Sequence, residues 1–380
     1  MEANDRQEVP GNGIGPATPD PDMVWIPGGA FQMGSDQHYS EERPTHVARV
    51  EGFWIDKYEV TNEQFARFVA ASKHVTLAER PARAEDYPGA KPEMLKPASV
   101  VFRKPTHRVD LRNHFNWWIY VQGANWRHPE GPDSTIEERA QHPVVHIAYE
   151  DAAAYAEWVG KELPSEAEWE FAARGGLDGA VYAWGDEFTP DGRPMANTWQ
   201  GEFPWQNLCT DGFEGTSPVG QYPANGYGLF DMIGNVWEWT SDWYSAGHAM
   251  TQPCCAGAAQ KTADQSYDPQ MPEIKIPRRV IKGGSFLCAP NYCRRYRPAA
   301  RMAQPIDTAA CHVGLRLVSR PKRSPNLLVL HTTSIQPQPE KPLVNSESTT
   351  PDDAHRAIAP ASGGGKGAAG VAVRTTTQAA

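Results

Sequence analysis

The stretch Gly283-Gly284-Ser285-Phe286-Leu287-Cys288-Ala289-Pro290-Asn291-Tyr292-Cys293-Arg294-Arg295-Tyr296-Arg297 carries two thiols five positions apart, behind a Gly-Gly step. Glycine lets a backbone pass close to a neighbour. Pro290 and Asn291 favour a turn that would aim both sulfurs at one spot. Such a pair could form a disulfide, hold a soft metal such as Cu(I), or do redox chemistry. It could equally be structural, since buried cysteine often behaves as a small hydrophobe. Spacing alone leaves these readings open, and the residues around the pair decide among them.

Upstream lie two oxygen-rich clusters. Asn197 and Thr198 are followed by Asp211 and Phe213, and Asp231 is followed by Gly234, Val236 and Glu238. Carboxylates and amides mixed with backbone carbonyls suit a hard cation that accepts six to eight oxygens, although ordinary Asn/Asp/Gly turns look the same. Trp237, Trp239 and Trp243 recur every second to fourth residue and read as a core stripe. His142 and His146 are four apart, but Pro143 between them spoils a helix, so both read as structural. Arg294, Arg295, Arg297 and Arg301 read as a solvated basic run, some pairing with surface carboxylates, and Cys209, Cys254, Cys255 and Cys311 as structural or incidental.

Three helices are expected. Thr61 and Gln64 form a capping-box pattern ahead of Phe65, Phe68 and Val69, which share a face. A second helix runs from Tyr149 to Val159 and stops at Gly160, and a shorter third one lies within 165–175. Strands are expected at Trp25–Met33, His46–Ile55 and Val280–Phe286, with turns elsewhere. That describes a loop-rich α+β body over 22–320, whose loops need fixing, with metal ions as the natural candidates. Residues 1–21 are Pro-, Gly- and Asp-rich and expected to be disordered. Residues 321–380, with Gln-Pro repeats and an Ala/Gly end, read as a disordered tail in which Leu327–Leu330 is a small apolar island.

Composition narrows the function. A formal charge of -10 over 380 residues argues against a nucleic-acid surface. No apolar run reaches the length of a membrane span, and the polar start Met1-Glu2-Ala3-Asn4-Asp5 is not a secretory signal. Six cysteines, two of them adjacent, do not look like a disulfide framework, so a reducing, cytoplasmic setting is expected. No Gly-x-Gly-x-x-Gly loop suggests a flavin or nicotinamide.

The blocks Met23–Ser35, Phe53–Asn62, Gly123–Pro132, Gly160–Glu170, Gly228–Trp239 and Gly314–Leu317 all accompany the thiol pair. Together they resemble the formylglycine-generating enzymes, also called sulfatase-modifying factors, over roughly residues 23 to 318. The resemblance implies one mixed domain of the sulfatase-modifying-factor, C-type-lectin-like fold. It implies Cu(I) on Cys288 and Cys293, with the substrate cysteine joining as a third sulfur and Ser285 and Trp237 lining the place where oxygen and substrate meet. It also implies calcium at both oxygen-rich clusters, with Asp231 where relatives carry Asn. The implied substrate is an unfolded sulfatase segment of the Cys-x-Pro-x-Arg type. Its cysteine is oxidised with dioxygen to formylglycine through a thioaldehyde that hydrolyses. A disulfide-exchange scheme would use the same two residues. The positions matching the disulfide cysteines of secreted relatives are Ala156, Ala173, Pro298 and Leu317, and Ala289 replaces a His that several relatives carry. Two other readings stay open: a catalytically idle binding module, which would normally lack the thiol pair, and an oxidase acting on a non-sulfatase protein.

Overall fold

A computed structural model describes residues 20–248 and 262–321. The leader and the tail with its Leu327–Leu330 island, apart from residues 20, 21 and 321, lie outside that range, as do Cys254 and Cys255. In chain order the strands and helices are β1 (Met23–Ile26), β2 (Gly29–Met33), β3 (His46–Val50), β4 (Phe53–Asp56), α1 (Asn62–Ser72), β5 (Ala98–Phe102), β6 (Trp118–Gln122), α2 (Tyr149–Val159), α3 (Glu166–Arg174), β7 (Trp237–Trp243), β8 (Arg278–Lys282), β9 (Arg301–Pro305), β10 (Val313–Gly314) and β11 (Val318–Ser319). A four-stranded sheet in the order β10-β7-β8-β9 carries the centre, and β10 runs parallel to β7. A three-stranded sheet, β1-β4-β11, joins the first strand to the last, and β2-β3 and β5-β6 are separate hairpin-like pairs. No helix among the described residues is long and apolar enough to cross a membrane.

Local sequence explains the helices. Thr61 and Gln64 cap α1 reciprocally, Gln64 N donating to Thr61 Oγ1 at 3.3 Å and Thr61 N to Gln64 Oε1 at 2.9 Å. Ser165 and Glu168 do the same for α3. Helices α2 and α3 end on Gly160 and Gly175, both left-handed. The strand expectations need correction. Trp25–Met33 and His46–Ile55 are each two strands, because Gly28 turns at φ +74° and its backbone lies against Val50 and Glu51, where a Cβ would meet atoms at 2.6–2.8 Å. The two breaks therefore face one another, and β1 and β2 pair with different strands. The expected strand Val280–Phe286 lies instead at Arg278–Lys282 and stops at Gly283.

Two apolar clusters meet at the thiols. Phe65, Trp169, Trp237, Trp239, Ile281 and Leu315 belong to the larger, together with Cys288 and Cys293. Phe286, Leu287 and Ala289 belong instead to the smaller, with Trp117, Trp118, Trp199 and Phe203. Each buried large side chain contributes about 1.5–3 kcal/mol, so the loop carrying the thiols is anchored on both sides.

The arginine run is not solvated. Arg295, Arg297 and Arg301 are buried, and only Arg294 is exposed. Arg297 pairs with Glu42, and Arg301 with Glu166 at 2.7 Å. Lys282 pairs with Glu170 at 2.9 Å, and Glu170 also holds Arg174 at 2.7 Å. Buried pairs of this kind add little net stability over apolar packing but are costly to break. The sequence could not show this, because the carboxylates come from distant segments.

Candidate active site and cation loops

Beyond β8 the chain turns on Gly283 (φ +96°) and Gly284 (φ +76°). A Cβ on Gly284 would lie 2.9 Å from Tyr296 N and 3.0 Å from Arg295 O, so two backbones touch here. The next turn closes on itself: Cys288 N donates to Ser285 O at 2.9 Å, and Cys293 N to Ala289 O at 2.9 Å. Pro290 and Asn291 form the exposed tip. The two sulfurs converge to 3.2 Å and remain free thiols, 2% and 6% exposed.

The pair shares its protons unevenly. The hydrogen bond with Cys288, reinforced by Arg295 and against the penalty of burial, draws the Cys293 thiol down to about 6. Burial pushes Cys288 well up. Negative charge on the pair is therefore drawn toward Cys293. Two donors face the sulfurs, Ser285 N to Cys288 Sγ at 3.4 Å and Arg295 Nη1 to Cys293 Sγ at 3.9 Å.

Ser285 lies beside the thiols, its backbone N–H on Cys288 Sγ. Its Oγ accepts from Leu287 N at 3.3 Å and lies 3.3 Å from His312 Nδ1. Trp237 is fully buried, and its N–H donates to the His312 carbonyl at 2.8 Å. His312 was not foreseen: it is a lone histidine just before β10, brought to Ser285 only by parallel pairing with β7. Tyr292 was also missed; its ring stacks on Phe203 at 4.4 Å and packs edge-on against Trp117. His142 and His146 have separate partners, Thr216 Oγ1 for the first and Ser99 Oγ with the Pro129 carbonyl for the second, which suits structural roles.

The first oxygen-rich cluster is brought together. Asp211 accepts from Thr198 N at 3.4 Å and from Phe213 N at 3.1 Å, while Asn197 Nδ2 donates to Gly215 O at 2.9 Å. Burial raises the Asp211 carboxyl. In the second cluster Asp231 is held at φ +54°. Its Oδ2 accepts from Gly220 N at 2.6 Å, but its buried Oδ1 has no partner. Glu238 accepts from Trp169 Nε1 at 2.6 Å and from Arg316 Nη2 at 3.0 Å. Gly234 abuts the other cluster, since a Cβ on it would lie 2.5 Å from Asn197 O. Val236 is buried just ahead of β7.

Glu59 was missed. It is sealed inside the protein with neither carboxylate oxygen hydrogen-bonded, and nothing in its local pattern separates it from an ordinary acid ahead of α1. Burial, and next the charge of Asp231, push Glu59 well above the usual carboxylate range. Burial likewise raises Asp231 to about 6. Orphaned buried carboxylate oxygens are costly, and a hard cation beside Asp231 would satisfy them. Among the described residues no three His, Cys, Asp or Glu side chains converge on one point. A cation here would therefore take backbone carbonyls as well.

Asn235 ties all three regions together. Its N–H donates to Asn197 O at 2.9 Å, its Oδ1 accepts from Asn197 Nδ2 at 3.2 Å, and its carbonyl accepts from Phe286 N at 2.9 Å. Gly234 N donates to Gly283 O, and Trp199 N donates to Cys288 O at 3.0 Å. The two oxygen-rich loops and the thiol loop are thus one hydrogen-bonded body.

Comparison with known proteins gives a consistent result. The family model described as "Sulfatase-modifying factor enzyme 1-like domain" matches residues 13–321. The formylglycine-generating enzyme of Mycobacterium tuberculosis is 52% identical over 303 residues, covering 79% of this chain and 98% of that protein. A Bos taurus relative named inactive C-alpha-formylglycine-generating enzyme 2 is 39% identical over 80% of this chain and 90% of its own length. Among solved structures, PvdO from Pseudomonas aeruginosa superposes with a TM-score of 0.50 at 21% identity, covering 78% of this chain and 93% of that one, which speaks for the fold alone.

Proposed function

This chain belongs to the sulfatase-modifying factor (formylglycine-generating enzyme) family, and we propose that it oxidises the cysteine of a Cys-x-Pro-x-Arg segment in an unfolded sulfatase to Cα-formylglycine with dioxygen. Membership alone does not decide activity, since one relative carries the name inactive. The observation that carries the reading is the buried pair of free thiols with sulfurs 3.2 Å apart.

Cys288 and Cys293 would hold Cu(I), a soft ion suited to two thiolates. Bound there, copper supplies the one-electron activation of dioxygen that acid–base side chains cannot. The chain's own residues do the rest. Both thiols would have to be thiolates to act as ligands, so binding would discharge protons, and Cys293 yields its own more readily than Cys288. Ser285 presents a hydroxyl fixed between Leu287 N–H and His312. Trp237, buried in the same apolar cluster as the two cysteines, would line the place where oxygen and substrate meet.

Calcium at the Asn197/Thr198/Asp211/Phe213 loop and at the Asp231/Gly234/Val236/Glu238 loop would stiffen the body that carries the thiols. The open Oδ1 of Asp231 and the bare Glu59 carboxylate support the second site more directly than the first. Glu238 is already engaged by Trp169 and Arg316, so it would share one oxygen with the ion. A cytoplasmic setting fits Ala156, Ala173 and Leu317, which sit in the apolar core where secreted relatives have disulfide cysteines.

The test is mass spectrometry of a Cys-x-Pro-x-Arg peptide after incubation with Cu(I)-loaded protein in air. Conversion to the aldehyde supports the reading. An intact peptide refutes it. Conversion that survives a strong Cu(I) chelator would favour thiol–disulfide exchange through the same two cysteines.

A further inference from the structure

We propose that Arg295 is a positioning residue whose fixed charge holds the Cys288–Cys293 pair as an anionic ligand set for Cu(I), with Glu41 and Tyr39 setting its aim. This rests on the copper reading above.

Arg295 is 5% exposed, and its guanidinium is committed on every side. Nε and Nη2 both donate to Glu41 Oε1, at 3.2 and 2.6 Å. The plane lies over the Tyr39 ring at 3.9 Å. Those contacts occupy one edge and one face and leave Nη1 directed at Cys293 Sγ, 3.9 Å away. The strap supplying them is itself pinned: Tyr39 Oη accepts from Arg294 N at 3.0 Å, and the Glu41 carbonyl accepts from Arg301 Nη1 at 3.2 Å. A plain structural ion pair needs only Glu41. The third donor, aimed at sulfur, is what a structural role leaves unexplained.

Charge counting explains it. Cu(I) on two thiolates carries a net single negative charge, and a third thiolate from substrate makes it two, in a site closed to water. Buried charge is costly unless paired. Arginine stays positive at any accessible pH and is less strongly hydrated than lysine, so it suits this position. Glu41 fixes the guanidinium with its positive end toward Cys293.

The test measures Cu(I) affinity of the full chain, without oxygen, by competition with a chromophoric Cu(I) chelator, with thermal melting in parallel. Losing a charge-assisted hydrogen bond should weaken Cu(I) binding by about ten- to a hundredfold in Arg295→Leu, whose side chain offers copper no ligand of its own. Glu41→Gln keeps an acceptor oxygen to aim the guanidinium but removes its counter-charge, so affinity should hold or rise even as melting falls. Arg295→Leu that folds and binds Cu(I) like wild type overturns the proposal. So does Glu41→Gln if its affinity falls in step with its stability, because the strap would then be acting through the fold alone. Should Arg295→Leu not fold, the direction of the Glu41→Gln change decides. Wild-type protein that binds no Cu(I) rejects the copper reading itself, and the proposal with it, which separates the two failures.

Discussion

Glu59 and Arg316 lie 4.0 Å apart, both sealed from solvent, yet no hydrogen bond reaches either oxygen of Glu59. Arg316 directs its donors elsewhere, to Glu238 and to the carbonyls of Asp56, Lys57 and Phe230. The charge of one guanidinium is thus set against those of three carboxylates, Glu59, Asp231 and Glu238, of which it hydrogen-bonds Glu238 alone. The surplus negative charge calls either for protons or for a cation.

Calcium should therefore raise thermal stability, by on the order of 3 kcal/mol at a hundredfold excess over its dissociation constant. The gain should also grow with pH. Asp231 is raised in the folded protein, to about 6, and Glu59 moves the same way. Folded protein then binds more protons than unfolded protein above the ordinary carboxylate range, so the metal-free form loses stability as pH climbs through about 4 to 6 and beyond. Calcium would replace those protons. Melting with chelator and with calcium, at about pH 5 and again at about pH 7.5, measures this; equal gains at both would sink it.

Cys288→Ala and Cys293→Ala should each lower peptide conversion by at least about a thousandfold, because paired groups act as a unit. Both should still fold, at a stability cost of about 1–2 kcal/mol. Wild-type turnover in either variant contradicts the thiol assignment, and unfolding of both would make the pair structural.

Gly284→Ala should be worse for the fold than either cysteine change. The new Cβ would meet Tyr296 N and Arg295 O at 2.9–3.0 Å at a φ of +76°, so backbone has to give. A loss of about 2 kcal/mol or more is expected, with conversion falling because Arg295 moves. A melting point within a degree or so of wild type would show that the two backbones can part freely.

Removing everything after Pro321 should leave conversion nearly unchanged. The cut has to spare Arg320, whose guanidinium pairs with Glu168 at 2.7 Å across the N-terminal turn of α3. Two truncated chains decide the matter, ending after Pro321 and after His331. Activity lost only in the shorter would assign Leu327–Leu330 to the domain.

What could be read from sequence follows from how far apart the partners are. The cap of α1 is formed by residues three apart, and the thiol turn by residues five apart, so both were legible, while the like cap of α3 went unread although it is equally local. The burial of Arg295, Arg297 and Arg301 depends on Glu41, Glu42 and Glu166, more than a hundred positions away, and a basic run gives no hint of that. Glu59 and His312 were invisible for the same reason. The paired breaks, at Gly28 and between Val50 and Phe53, were overlooked because apolar residues resume directly beyond both, although Pro27-Gly28 is a common interruption.

Strand β4 is flanked by β1, made early in the chain, and by β11, made late. Val60 N and Asp56 N donate to the carbonyls of Leu315 and Leu317, and Glu162 and Val318 exchange both their bonds. During synthesis from the N-terminus, β4 therefore waits half-paired until residues 315–319 emerge. The loop bearing Cys288 and Cys293 is translated before those residues, so a growing chain holds both thiols outside a closed core. Oxidants and adventitious metal reach the nascent polypeptide at that stage more easily than the finished protein, and the last strand to arrive sets how long that exposure lasts.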